Sequence, residues 1–381
     1  MRDPVGPDSG LPRPVRLSGR AGRRSTIGGP ARRAYAVEGV RLAAVVAAYY
    51  VSARIGLQQE LVREQVTPFW PPTGIALVAL LLWGLRMWPA VALGAFLINM
   101  TLGPSVLAVL AIAAGNTLAP VCACLLLRRV GFRAELDRLQ DALSLVFLGA
   151  LIGMVLSATV GTAVLMGSDA LGTDDFWPTW AVWWTGDAMG VLVIAPLLLA
   201  ARGARWPRGV PALRWAEAVA LVTGTAAVSW LATHSAINLL YLVIPCVIWA
   251  AFRFRLAGAA PCVLIASVIA IQAGAAGAGP FDGRDLLAQM VILQAFNGTV
   301  SLTALLLSAV IAERGRTLQE IENVCERLRE ALSRLAPDEA RDEWSTPGPR
   351  ERDRRRGESR ADGRSHGART GDVPDRRARG S

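Results

Sequence analysis

Trp177–Ala200 reads WPTWAVWWTGDAMGVLVIAPLLLA, a run with one charged side chain, Asp187. At about 1.5 Å per residue, a stretch of this length crosses a hydrocarbon core of about 30 Å as an α-helix. An ionised carboxylate near the middle of such a helix costs at least about 2.5 kcal/mol to insert, so Asp187 is expected to face protein or water. Trp184 and Trp183 stand three and four residues before it, Trp180 seven before and Gly190 three after, which puts them on one helical face. Two readings follow. The face is a site with aromatic walls, or it is an interfacial tryptophan belt with a neutral Asp tying helices together.

The same composition recurs on both sides of this run. Hydrophobic residues make up 53% of the 381 positions and charged residues 18%, with the charges crowded into the ends and short loops. Apolar segments near 40–57, 70–84, 87–102, 104–127 and 142–167 precede the Asp187 helix. Segments near 213–232, 239–252, 256–276 and 286–311 follow it. The expected fold class is therefore all-α, a polytopic transmembrane bundle of about ten helices, with eight possible. The second, third and eighth are short enough to be tilted or re-entrant.

Arginine distribution orients the bundle. Arg86; Arg128, Arg129, Arg133 and Arg138; Arg202, Arg205 and Arg208; and Arg253 and Arg255 fall in alternate connections, while Asp169, Asp174 and Asp175 mark an opposite loop. Arg63 and Arg284 break the pattern. Cytoplasmic loops collect Arg, so both termini are expected in the cytoplasm of a bacterial inner-membrane, multi-pass protein. The net charge of +10 follows from this topology and implies no nucleic-acid partner. All basic residues are Arg, which reads as genomic composition. Four of the five cysteines lie in apolar segments and only His234 and His366 are present, so neither a disulfide scaffold nor a metal site nor a cofactor is expected. The N-terminus shows no signal-peptide pattern.

Other polar groups fall at membrane depth. Asn116 lies in the fourth segment, and Asn297 in the tenth with Gln294 and Ser301 on its face. These amides tie helices together or contact a ligand. Arg54, in the last turn of the first segment, either snorkels to the headgroups or leans toward Asp187 across roughly 10 Å of axial rise. Trp70-Pro71-Pro72-Thr73-Gly74 has the look of a helix start at the outer interface. Asp187, Trp184, Trp183, Asn116, Arg54 and Asn297 are the candidate ligand-binding residues, for an unknown small molecule; no catalytic residue is assigned.

Past the last segment, Leu318, Ile321, Cys325, Leu328, Leu332 and Leu335 follow the spacing of a coiled-coil seam for under three heptads. This describes either a parallel dimer-forming linker or an amphipathic helix on the membrane face. The expected organisation is a disordered Arg-rich tail over 1–38, the membrane domain over 39–311, the cytoplasmic helix over 312–336 and a disordered tail over 337–381.

Seven blocks in order carry a resemblance: Trp70-Pro71-Pro72-Thr73-Gly74-Ile75, Gly115-Asn116-Thr117-Leu118, Trp183 to Gly190 with Pro196, Phe252-Arg253-Phe254, Gly279-Pro280-Phe281, Leu293-Gln294-Ala295-Phe296, and Ala312-Glu313-Arg314. Over about residues 40–316 the chain resembles the bacterial membrane-associated sensor domains of the first type, the MASE class. The resemblance implies a sensory, non-catalytic input module of the kind that precedes sensor kinases and diguanylate cyclases. No kinase His box, ATP-binding glycine motif or cyclase loop is found. The expected function is thus a membrane sensor, not an enzyme, relaying an unknown stimulus through its last helix to a second copy or a separate cytoplasmic partner. A small-molecule transporter or channel is the alternative, because midplane Asp and Asn on Gly-rich helices also describe substrate pathways.

Overall fold

The computed structural model describes residues 28–59, 67–103, 105–203, 209, 211–235 and 239–335, and the regular secondary structure in them is helical throughout. Residues 1–27 and 336–381, with the two expected disordered tails, fall outside them, as do Arg63, Arg205 and Arg208. Helix α1 (Gly28–Gly56) starts earlier than the expected tail boundary: residues 28–38 join it, being rich in helix-forming Ala and Arg. The bundle continues with α2 (Pro71–Trp83), α3 (Trp88–Asn99), α4 (Val106–Arg129), α5 (Leu139–Gly167), α6 (Thr173–Gly203) and α7 (Ala212–His234). Helix α10 is Leu286–Leu335. Among the described residues, seven helices are long and apolar enough to cross a membrane, and α2 and α3 lie within two shorter apolar stretches.

Between α7 and α10, Val243–Ala275 is a single run of helical turns broken at Arg255, whose φ of 55° and ψ of −150° are not helical. The break makes a hairpin of α8 (243–254) and α9 (256–275). Thr225, midway along α7, sits beside the thiols of both Cys246 and Cys262, one on each arm. The apex residue Arg253 bonds Glu217 near the start of α7. At the other end, the space where Gly279 would carry a Cβ is within 2.2 Å of the Thr233 carbonyl. The separate eighth and ninth segments expected from the sequence are thus the two arms of this hairpin.

Arginines anchor one end of the bundle. Arg128 donates to the Leu80 carbonyl at the end of α2, and Arg86 pairs with Glu38 of α1. Arg138 grips the buried Asp141 carboxylate through both Nε and Nη2, at 2.8 and 2.7 Å. Cations at helix C-termini and bidentate Arg–carboxylate pairs are the stable arrangements there.

At the opposite end the chain does what lipid alone forbids. Thr67, Pro68, Phe69 and Trp70 are non-helical yet buried, and α2 begins only at Pro71, inside the bundle. Irregular backbone survives at membrane depth only where protein covers it. The cover is α6. Trp70 N–H donates to the Gly186 carbonyl at 3.0 Å, and Cβ atoms added at Gly186, Gly190 and Gly74 would fall 2.2 Å from Thr67 O, 2.0 Å from Trp70 O and 2.1 Å from Gly190 O. Gly186 and Gly190 are four apart, the small-residue spacing that lets two backbones meet. The collisions involve backbone, which has nowhere to move. Gly190→Ala should therefore lower stability by about 2 kcal/mol or more, the upper range for overpacking. Thermal unfolding in detergent checks this, with Gly224→Ala, which has open space at its Cβ position, as the neutral comparison.

Candidate functional site

The approach of α2 to α6 sets the carboxylate of Asp187 against the first turn of α2. Thr73 Oγ1 donates to Asp187 Oδ1 at 2.5 Å. Pro71 and Pro72 occupy the first helical positions, where no N–H is needed, and the N-terminal end of a helix carries partial positive charge. Asp187 is 1% exposed; its second oxygen, Oδ2, makes no well-formed hydrogen bond, although the Ser157 hydroxyl and the Trp183 indole N–H lie beside the carboxylate.

Around it lies a chain of neutral polar groups from other helices. Ser157 Oγ of α5 donates to Asn116 Oδ1 of α4 at 2.8 Å, and Trp183 Nε1 donates to Ser157 Oγ at 3.2 Å. Tyr49 of α1, 1% exposed, places its hydroxyl beside Trp70 and Asn116, also without a partner. Two glycines make room for the rings. A Cβ at Gly161 would lie 2.4 Å from the Trp183 indole, and one at Gly94 would lie 2.9 Å from the Tyr49 side chain. These groups border a cavity of about 30 Å³ lined by Thr67, Trp70, Asn99, Asn116, Trp183 and Asp187, room for about one water-sized species.

The structure brings Asp187, Trp183 and Asn116 together and separates the other candidates from them. Trp184 turns away from the cavity: its Nε1 donates to the Leu151 carbonyl at 2.8 Å, and its ring stacks on Trp180 at 5.8 Å. Both line a wider apolar groove of about 550 Å³ with Gln294 of α10. The shared face expected for Trp180, Trp183, Trp184 and Gly190 is thus split among three neighbours: α5 and α10, the Ser157–Asn116 chain, and the start of α2. Asn297 is fully buried on α10, with neither side-chain atom hydrogen-bonded, and is not a lining residue of the cavity. Arg54 is exposed, because the inward face of α1 is Val45, Tyr49 and Ala53 at four-residue spacing and the next position points outward. The expected lean of Arg54 toward Asp187 therefore gives it no place in the cavity.

Sequence reading missed the lining residues Thr67, Trp70 and Asn99, and Thr73, Tyr49 and Ser157 beside them. Trp70–Gly74 also describes an ordinary helix start, and nothing in spacing shows that this start lies at Asp187. Tyr49 had a signal, a phenol on an otherwise apolar face. Among the described residues, no three His, Cys, Asp or Glu side chains converge on one point.

Apolar helices packed around a buried carboxylate define a polytopic integral membrane protein with an internal polar site. Residues 41–315 match the MASE1 family, a membrane sensor domain, over most of the chain, and the protein belongs to that family. No curated protein and no solved structure matches it.

The Thr73–Asp187 bond is testable as a coupling. A hydrogen bond to a charged acceptor contributes more than a neutral one, although pairs within membranes average less than in water. In a double-mutant cycle of Thr73→Val and Asp187→Ala, which remove the donor and the acceptor in turn, the coupling read from unfolding free energies should be about 1–2 kcal/mol. A value near zero would mean that the contact does not hold α2 to α6.

Proposed function

We propose that this protein is a sensor of the bacterial inner membrane whose input site is the cavity at the junction of α2 and Asp187. One observation carries the reading: a buried carboxylate lining a small polar cavity, with one oxygen that makes no well-formed hydrogen bond. Buried charged groups are expensive to leave unpaired, so the site favours a small ligand bearing positive charge or a hydrogen-bond donor. Ligand there would bear on α2, whose position rests on backbone contact with α6, and the proposed output is α10.

The proposed relay runs through the end of α10. Leu318, Ile321, Leu328 and Leu332 are 53, 53, 58 and 62% exposed along one seam, an apolar stripe open to a second copy or a cytoplasmic partner. Signalling in this reading needs no chemistry within the chain. The transporter alternative draws on one feature, a helix that starts inside the bundle with its positive end at a buried Asp.

The purified protein should be melted against a panel of monovalent cations, small amines and neutral metabolites, with Asp187→Asn in parallel. Ligand at 100 times its Kd adds about 2.7 kcal/mol to stability, and the shift should vanish in the variant. Asp187-dependent flux of the same compound into liposomes would decide for transport instead. Deleting residues 312–336 should abolish the response of any partner while leaving membrane insertion and the melting shift intact; an unchanged response would remove the relay from this helix.

A further inference from the structure

The apex of the α8–α9 hairpin holds a second pocket, of about 290 Å³, unrelated to Asp187. Its walls are apolar, from Leu221 and Val222 of α7 and Pro261 of α9, and three arginines, Arg214, Arg253 and Arg255, are among its lining residues. The Phe254 ring lies between two of them, with Arg214 at 5.8 Å and Arg253 at 6.0 Å from its centroid. Glu217 takes the Nε of Arg253 on both carboxylate oxygens, at 2.6 and 2.7 Å, which offsets one charge and leaves a net charge of two positive.

Arg255 occupies a backbone conformation that is close to glycine-only. Its φ of 55° with ψ of −150° costs a side-chain-bearing residue on the order of 1–3 kcal/mol, and glycine would remove that cost. An arginine is nevertheless present there, among the residues that line an apolar slot. The slot opens at the Arg-rich end of the bundle, where Leu213 and Trp215 next to Arg214 are 80 and 45% exposed, as suits a membrane interface. An arginine rim over apolar walls matches an amphiphile with an anionic head. A soluble anion would make no use of the walls.

We propose that this pocket binds an anionic phospholipid of the inner leaflet, with its phosphate at the Arg214–Arg253–Arg255 rim and an acyl chain against Leu221, Val222 and Pro261. Basic pockets between membrane helices recognise such headgroups through charge-assisted hydrogen bonds. A lipid held there would tie α7 to the hairpin.

The test uses the full, delipidated protein in neutral detergent, with lipid binding read by native mass spectrometry and by melting. Phosphatidylglycerol should bind and raise the melting point, whereas phosphatidylcholine at the same concentration and inorganic phosphate should not. Each arginine near a membrane surface contributes about 1 kcal/mol, so Arg214→Gln with Arg255→Gln should weaken phosphatidylglycerol binding at least tenfold. Arg255→Gly serves as the control for folding: it should melt no lower than the parent without lipid, yet bind phosphatidylglycerol about fivefold more weakly. Equal binding of the two lipids, a full melting shift from phosphate alone, or parent-like affinity in Arg255→Gly would each overturn the proposal.

Discussion

The contact on which the rest depends is backbone to backbone: the Trp70 N–H on the Gly186 carbonyl, with Gly190 and Gly74 bare where the chains touch. In hydrocarbon an unpaired peptide group costs several kcal/mol, so a non-helical segment such as 67–70 persists only if protein covers it and completes its hydrogen bonds. Two glycines on α6 make that cover by letting α2 start inside the bundle. Everything at the candidate site follows from the placement, since it sets Thr73 against Asp187 and brings Trp70 over Tyr49.

Asp187 is one residue past Gly186, and the adjacency has physical content. The residue after a close-contact glycine on a helix points beside the contact, so its carboxylate falls at the lip of the junction, where the N-terminal end of α2 supplies partial positive charge. One oxygen is satisfied by Thr73 and the other is not. A fully satisfied carboxylate would read as structural glue. A half-satisfied one next to a cavity is the feature on which the proposed input site rests.

Buried polar groups are paired unevenly through the bundle. Around α1–α6 they form a connected chain from Trp183 through Ser157 to Asn116. On α10, Asn297 and Ser301 are buried without hydrogen-bond partners, and Ser267 of α9 is too. Such groups are costly where they stand, and a modest turn or slide of α10 would change what they meet. This agrees with α10 as the proposed output element and identifies Asn297 with that helix rather than with the ligand.

Length and apolarity were enough, from the sequence alone, to establish an all-α membrane bundle and the approximate places of its helices. They do so because each depends on local chain composition and the fixed thickness of lipid. Asp187, Trp183 and Asn116 were legible for a related reason: a polar group at membrane depth is conspicuous in one dimension. What spacing along a helix could not decide was partnership. Trp183 and Trp184 are neighbours in sequence but point 100° apart into different surroundings, Arg54 lies one residue from the buried Ala53 yet faces out, and Thr73 is 114 residues from the carboxylate it bonds. Only the tertiary structure settles these, because which face of a helix is covered, and by what, depends on how closely glycines allow distant backbones to approach.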